Sequence, residues 1–163
     1  MLPAPLGRRL GALLYEALLL FAMAIVVGFA FLPLVSPAGP GDTTLRIPSI
    51  FARTLLFCVL AGAAALYYTW NWSEGRRTLP QKTWRLRIVG RNGGPVTRRA
   101  ALVRYVAAWI GPALALLAYV VVPSERAPYA VMLLAFDYAW VLVDRDRQFL
   151  HDRLAGTRVV SQN

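Results

Sequence analysis

Two acidic side chains stand where hydrocarbon is expected to surround them. Glu16 lies six residues into the apolar run Leu10–Val35, roughly 9 Å from its start at the rise of an α-helix. Asp137 stands near the centre of a later apolar run, Pro128–Val143. A carboxyl group at that depth costs a few kcal/mol, so it must face other helices, find a partner or take up a proton. We predict that Glu16 and Asp137 form an intramembrane ion or proton site; the alternative is that these ions only hold helices together.

Other chemistry has little support in the sequence. His151 and Asp152 are adjacent, and neighbours on a helix point about 100° apart, so we expect His151 to face solvent or the membrane interface rather than act as a base. His151 is the only histidine and Cys58 the only cysteine, too few for a Cys/His metal cluster or an internal disulfide. Signatures of hydrolases, phosphate-binding loops and zinc proteases are missing. We therefore predict no enzymatic activity, no catalytic residue, no metal and no cofactor.

The elements that must position these acids are four apolar stretches: Leu10–Val35, Ile50–Trp72, Leu102–Val122 and Pro128–Val143. The first three have at least the ~20 residues that a helix needs to cross a bilayer, whereas the fourth has sixteen, about 24 Å of α-helix. Gly111 and Pro112 predict a kink in the third stretch. The first stretch is longer than the core of a secretory signal peptide and contains an acid, which disfavours a cleaved leader. We predict an all-α fold, a four-helix transmembrane bundle in a single domain over residues 1–163.

The distribution of charge predicts an orientation. The chain carries a net charge of +10, yet 58% of it is hydrophobic and its mean hydropathy is +0.50. Basic residues concentrate in the middle loop, residues 73–101, and in the tail, residues 144–163, and such residues near span ends stay cytoplasmic. Both termini and the middle loop then lie on the cytoplasmic side, which requires the short fourth span to cross. Because the charges sit at span ends, we expect a lipid bilayer with anionic lipids as the partner and no nucleic acid.

The middle loop contains a candidate strand. Apolar and basic residues alternate over Thr83–Val89, with Trp84 among those on the apolar side, which is the two-residue period of a strand. Residues 158–160 are the candidate partner, giving a short cytoplasmic β-hairpin-like unit whose apolar face rests on the membrane interface or on another segment. Its basic side is suited to anionic head groups. The residues predicted to face lipid are Arg76, Arg77, Lys82, Arg85 and Arg87.

Three sequence blocks resemble one protein family. They read TLPQKTWRLRIV at Thr78–Val89, AALVRY at Ala100–Tyr105 and HDRLAGTRVV at His151–Val160. They resemble the RDD family of bacterial membrane proteins, named for one arginine and two aspartates, and the resemblance covers nearly the whole chain. It implies a location in the bacterial inner membrane and, as usually suggested for the family, transport of unidentified ligands.

The resemblance also implies particular residues. The family arginine falls on Arg9, its first aspartate on Glu16 and its second on Asp152. Glu16 departs from the family by one methylene, which keeps the acidic character and changes the geometry. Asp152 follows the fourth span in a stretch expected to end at Gly156, a residue suited to a helix C-terminus. We therefore predict a charged cluster of Arg9, Glu16 and Asp152, with Arg104 as a second cation.

Two functions remain open. The first is a small transporter or transport accessory for a cation, a proton or an unidentified ligand. Four spans are few for a complete transporter, so we expect a homo-oligomer or a membrane-protein partner. The second is a non-transporting scaffold, assembly factor or partner-binding subunit, in which Arg9 and Asp152 fasten the tail to the first span.

Overall fold

The computed structural model describes residues 4–35, 48–123 and 125–162. The chain is mostly helical. Its helices are α1 Leu6–Val35, α2 Ile50–Trp72, α3 Leu79–Thr83, α4 Arg98–Ala108, α5 Ile110–Val121, α6 Phe136–Ala139 and α7 Leu150–Ala155. The two strands are β1 Leu86–Gly90 and β2 Thr157–Ser161, and two 3₁₀ helices cover Ala127–Ala135 and Trp140–Leu142.

Among the described residues, three helices are long and apolar enough to cross a membrane: Leu6–Pro33, Ile50–Trp72 and Arg98–Val121. On α1 the large side chains of Leu14 and Phe21, one heptad apart, are exposed. Apolar faces without protein over them suit a lipid environment rather than water. The first three predicted spans therefore correspond to apolar helices, although the first and third begin four residues earlier than predicted.

The third of these helices is interrupted, as the Gly111-Pro112 pair predicted. α4 ends at Ala108 and α5 begins at Ile110, with Trp109 between them. Proline has no N–H for the preceding turn, which favours a break just before it. Gly111 lies so close to the next segment that an added Cβ would stand 2.8 Å from the carbonyl oxygen of Leu134.

The fourth apolar segment, Ala127–Leu142, is not the regular α-helix predicted for Pro128–Val143. Nine and then three of its residues are 3₁₀, and only the four of α6 are α-helical. A 3₁₀ helix rises about 2.0 Å per residue, so the segment is about 30 Å long instead of the ~24 Å of an α-helix. The tighter winding lets a short segment extend further along α5, against which it packs.

The two strands pair antiparallel, with Leu86 opposite Ser161 and Gly90 opposite Thr157. The predicted partner strand, residues 158–160, is thus confirmed. The unit is not a hairpin, however, because α4 to α7 lie between its strands. β1 also begins at Leu86 rather than at the predicted Thr83.

The later start of β1 has a local cause. Thr78 caps α3 and accepts a hydrogen bond from the backbone N–H of Gln81, whose side chain accepts from Thr78 in return. This capping box starts a helical turn that ends at Thr83, the first residue of the predicted strand. Trp84 follows α3 and lies against Gly11 of α1, where an added Cβ would stand 2.6 Å from the indole ring. The prediction that Trp84 belongs to the strand was wrong.

The sheet packs on the helices. Leu86, Ile88 and Val159 are buried in one cluster with Tyr68 and Trp72 of α2. Of the two resting places predicted for the apolar face, the structure therefore shows another segment of the protein. The backbone N–H of Ala4 donates to the carbonyl of Val159 at 3.1 Å. The start of α1, the sheet and the tail consequently lie at the same end of the bundle.

Candidate functional site

Asp152 is the centre of a buried polar network. It lies in the first turn of α7, is fully buried, and is held by donors from three other elements. Its Oδ1 accepts from Nε of Arg104 in α4 at 2.8 Å and from Oγ1 of Thr157 in β2 at 3.1 Å. Its Oδ2 accepts from Nη2 of Arg9 in α1 at 3.3 Å. One carboxylate thus joins the beginning of the chain to its end.

Electrostatics keeps Asp152 ionised. Burial alone would raise its pKa, but the guanidinium of Arg104 and, more weakly, that of Arg9 hold the pKa of Asp152 below its ordinary value. A deprotonated carboxylate is the form that accepts all three hydrogen bonds. We therefore describe Asp152 as a fixed negative charge.

Each arginine is also covered by an aromatic ring. The guanidinium carbon of Arg9 lies 4.1 Å from the ring centre of Phe149, and that of Arg104 lies 4.1 Å from the ring centre of Trp72. Nη1 of Arg9 donates in addition to the carbonyl of Arg147. Cation–π contacts of this kind are strongest where water is excluded, as at these two buried side chains.

His151 extends the network to the fourth segment. Its backbone N–H donates to Oδ1 of Asp137 at 2.8 Å, and its ring Nδ1 contacts Oδ2 of the same carboxylate. Its Nε2 lies 3.2 Å from Nη2 of Arg104. A guanidinium can only donate, so Nε2 must accept and the ring proton is assigned to Nδ1, facing Asp137. The result is a continuous series of contacts, which we call the buried charge chain: Asp137, His151, Arg104, Asp152 and Arg9.

The prediction that His151 faces solvent or the interface was wrong, because its backbone N–H and its ring both contact the carboxylate of Asp137. A turn brings α7 back against α6. In this turn the carboxylate of Asp144 accepts from the backbone N–H groups of Asp146 at 3.1 Å and Gln148 at 2.8 Å. The fourth segment therefore does not continue as one helix into α7, and Asp144 lies in the turn between them.

Glu16 lies apart from the buried charge chain. Its Oε1 accepts from Oγ1 of Thr78, just before α3, at 2.5 Å. Within residues 4–35, 48–123 and 125–162, no ion pair involves Glu16. Of the predicted cluster, the structure brings Arg9, Arg104 and Asp152 together but leaves Glu16 without a direct contact to them. It also does not join Glu16 to Asp137, since His151 takes both oxygens of that carboxylate.

A cavity of about 270 Å³ lies beside Glu16. Its lining is mainly apolar and aromatic, and includes Leu20, Tyr68 and Trp109. Glu16 supplies a carboxylate to this lining. Arg9, Arg104 and His151 of the buried charge chain also line the cavity. A few polar groups converging on an apolar hollow are typical of a small-ligand site.

The basic residues predicted to face lipid have different environments. Arg76 donates to the carbonyl of Trp70 at 2.7 Å and pairs with Glu74 at 2.7 Å. Hydrogen bonds from Arg98 and Arg76 lower the pKa of Glu74. Arg77 binds the side chain of Gln162, and Arg87 is half-buried. Lys82 and Arg85 are the exposed members of the set.

Comparison with known protein families matches the RDD family over residues 3–156. The chain belongs to the RDD family. RDD proteins are membrane proteins, in agreement with the three apolar helices. No curated protein and no solved structure matches the chain.

Sequence reasoning missed several polar groups of this RDD protein. Thr78 had a usable signal, because Thr78 and Gln81 have the spacing of a capping box. The contact between Asp137 and His151 had none, since it depends on the turn between α6 and α7. Thr157 lies directly after Gly156, whose left-handed backbone (φ 66°) ends α7 as predicted and turns the chain toward Asp152.

Proposed function

We propose that this RDD protein is a small, non-enzymatic transporter or transport accessory in which Glu16 takes up a proton or a cation. One observation carries the proposal. Glu16 lines the cavity with one hydroxyl donor and no cationic partner among the described residues, whereas Asp137 and Asp152 are fully engaged. An acid held by one neutral donor can change its charge state without breaking an ion pair.

The buried charge chain has a supporting role in this proposal. Arg9 and Arg104 reach the cavity, and each forms an ion pair with Asp152. Removing a member of a buried pair leaves the other charge uncompensated, which is costly. The buried charge chain therefore keeps the side of the cavity next to Glu16 rigid.

The strand pairing also supports a proposed topology. Because β1 and β2 are hydrogen-bonded, the chain between them must return to its starting side of any membrane that it crosses. α4 and α5 provide one passage, and the ~30 Å of the fourth segment is long enough for the return. We propose four crossings of the bacterial inner membrane, with both termini and the basic middle loop in the cytoplasm.

Proton flux into proteoliposomes tests the role of Glu16. The purified protein is reconstituted with an internal pH-sensitive dye, and flux is driven by a potassium diffusion potential. We expect Glu16→Gln to reduce flux to that of empty vesicles, because the amide cannot exchange a proton. Glu74→Gln makes the same chemical change at an exposed loop position and is expected to keep wild-type flux. Equal flux through Glu16→Gln and wild type would contradict the proposal.

A second candidate function has its own observation. Asp152 fastens α1, α4, α7 and β2 together, which is the arrangement expected of a rigid membrane scaffold or partner-binding subunit. Folded wild-type protein that gives no flux above empty vesicles would favour this alternative. Crosslinking in membranes, followed by identification of the products, would then show whether the protein binds a second copy or a different membrane protein.

A further inference from the structure

A second, larger hollow lies at the end of the bundle where the N-terminal residues meet the tail. It encloses about 960 Å³ and lies between the start of α1, the turn before α7 and the segment after β1. We call it the basic groove. The described residues of its lining include one acid, Asp146, and six arginines: Arg9, Arg91, Arg145, Arg147, Arg153 and Arg158.

Most of this positive charge is not compensated by the protein. Arg9 pairs with Asp152, and Arg153 pairs with Asp144 at 3.2 Å and with Asp146 at 2.6 Å. In the part of the chain that the structure describes, no carboxylate pairs with the other four. These four, all exposed, are Arg91, Arg145, Arg147 and Arg158. Converging like charges repel one another, so an anion placed among them gains attraction from each.

The backbone that carries these arginines is held in place. The turn with Arg145 and Arg147 is organised by the carboxylate of Asp144, which accepts two backbone hydrogen bonds. Arg147 has a left-handed backbone (φ 51°), and its carbonyl accepts from the buried guanidinium of Arg9. A site with a fixed backbone loses less conformational entropy on binding.

The segments on the opposite side of the groove, which carry Arg91 and Arg158, are also anchored by hydrogen bonds. The N–H of Arg91 donates to the carbonyl of Gly156 at 3.0 Å, and the guanidinium of Arg158 donates to the carbonyl of Arg91. The groove is therefore bounded on two sides by anchored segments.

One edge of the groove is apolar. It is formed by Leu6, Val141 and Leu142, and the side chain of Leu142 is 81% exposed. Leu6 is the first residue of α1 and Leu142 is the last of the fourth segment. The groove thus places guanidinium groups directly beside the ends of two apolar segments, where a membrane surface would lie.

We propose that the basic groove binds the phosphate head group of an anionic phospholipid whose acyl chains lie along Leu6 and Leu142. Basic pockets at the ends of spans are suited to such head groups, and guanidinium groups bind phosphate oxygens through paired hydrogen bonds. A soluble phosphate compound would leave the apolar edge uncovered. This site shares neither Glu16 nor the exposed loop residues Lys82 and Arg85.

Native mass spectrometry of the full chain in detergent tests this site, with cardiolipin as the probe and phosphatidylcholine as the neutral lipid. We expect saturable binding of cardiolipin and none of phosphatidylcholine. Each basic residue contributes on the order of 1 kcal/mol, so the double variant Arg145→Gln/Arg147→Gln should bind cardiolipin roughly thirtyfold more weakly. The single variant Arg91→Gln, whose side chain is exposed, should bind it roughly fivefold more weakly.

The matched control is the double variant Lys82→Gln/Arg85→Gln, which removes the same charge from exposed positions outside the groove. It should bind cardiolipin as the wild type does. An equal loss of cardiolipin affinity in the control would show that the lipid is attracted by surface charge alone, and this would overturn the proposal. Complete displacement of cardiolipin by inorganic phosphate would also overturn it, because the site would then recognise a free anion without the lipid.

Discussion

Asp152 illustrates how two arginines are accommodated inside the protein. A buried guanidinium without a counter-charge is very costly, and Asp152 meets Arg9 and Arg104 simultaneously. Thr157 donates to the same carboxylate, and Phe149 and Trp72 cover the two cations. Removing this one negative charge therefore affects two positive ones.

Asp152→Asn tests that dependence on charge. The amide keeps the size of the side chain but leaves both arginines uncompensated, so we expect the free energy of unfolding to fall by about 3–5 kcal/mol. Asp146→Asn is the matched control, since Asp146 is exposed and pairs only at the surface with Arg153; its effect should stay below ~1 kcal/mol. Reversible unfolding in mixed micelles measures both variants. Equal losses of unfolding free energy in the two variants would show that the buried charge of Asp152 stabilises the fold no more than a surface charge does.

The residues of the candidate site were only partly predictable. Hydropathy identified Glu16 and Asp137 as acids inside apolar runs, and the resemblance to the RDD family singled out Arg9 and Asp152. The pairing of these groups depends on the turn at Asp144, which reverses the chain between α6 and α7. Since no local pattern specified that reversal, the partners of His151 and Asp137 could not be deduced from spacing.

Among the elements, α5 and the fourth segment approach each other closely at Gly111. An added Cβ at Gly111 would stand 2.8 Å from the carbonyl oxygen of Leu134 and 3.0 Å from that of Leu133. Both are backbone atoms, which cannot swing aside as a long side chain can. The sequence showed Gly111 only as part of a kink, but the structure shows that the absence of a side chain is needed for packing.

Gly111→Val should therefore separate the two segments. We expect a loss of about 1–3 kcal/mol, typical of overpacking, seen as a lower thermal midpoint by size-exclusion chromatography of heated, detergent-solubilised protein. Gly62→Val is the control, because a Cβ at Gly62 in α2 has nothing within 4 Å. If the midpoints of the two variants coincide, the close approach at Gly111 does not stabilise the fold.

The sequence predicted long elements better than short ones. Three apolar helices and the partner strand of β1 follow from hydropathy and from residue alternation, because one face of each must be buried or placed in lipid. The 3₁₀ winding of the fourth segment leaves no comparable pattern. α3 was missed because the spacing of Thr78 and Gln81 was not recognised as a capping box.

On the scale of the whole molecule, both ends of the described chain meet on one side. Ala4 donates to Val159, Arg9 binds Asp152, and β1 pairs with β2. The connection between α5 and the fourth segment follows a passage of 24 residues that begins at Arg98. When this segment crosses the membrane, the connection should lie on the opposite side of the membrane from the sheet.

Cysteine labelling in intact bacterial cells tests this separation. In a Cys58→Ser background, a membrane-impermeant maleimide should label Arg126→Cys, in the connection after α5, and should not label Lys82→Cys, in the middle loop. Both positions are exposed, so both should react once the cells are permeabilised. Reaction of the two positions from the same side of the membrane would rule out the proposed topology.

The pairing of β1 with β2 also has a consequence for biosynthesis. β1 emerges from the ribosome early, but its partner appears only when translation has reached Ser161. Until then its hydrogen-bonding edge is open, and Arg9 and Arg104 lack the carboxylate with which both form ion pairs. A nascent chain that stops before Asp152 thus keeps two cations without their shared counter-charge and an unpaired strand edge, which is a template for pairing with a second polypeptide.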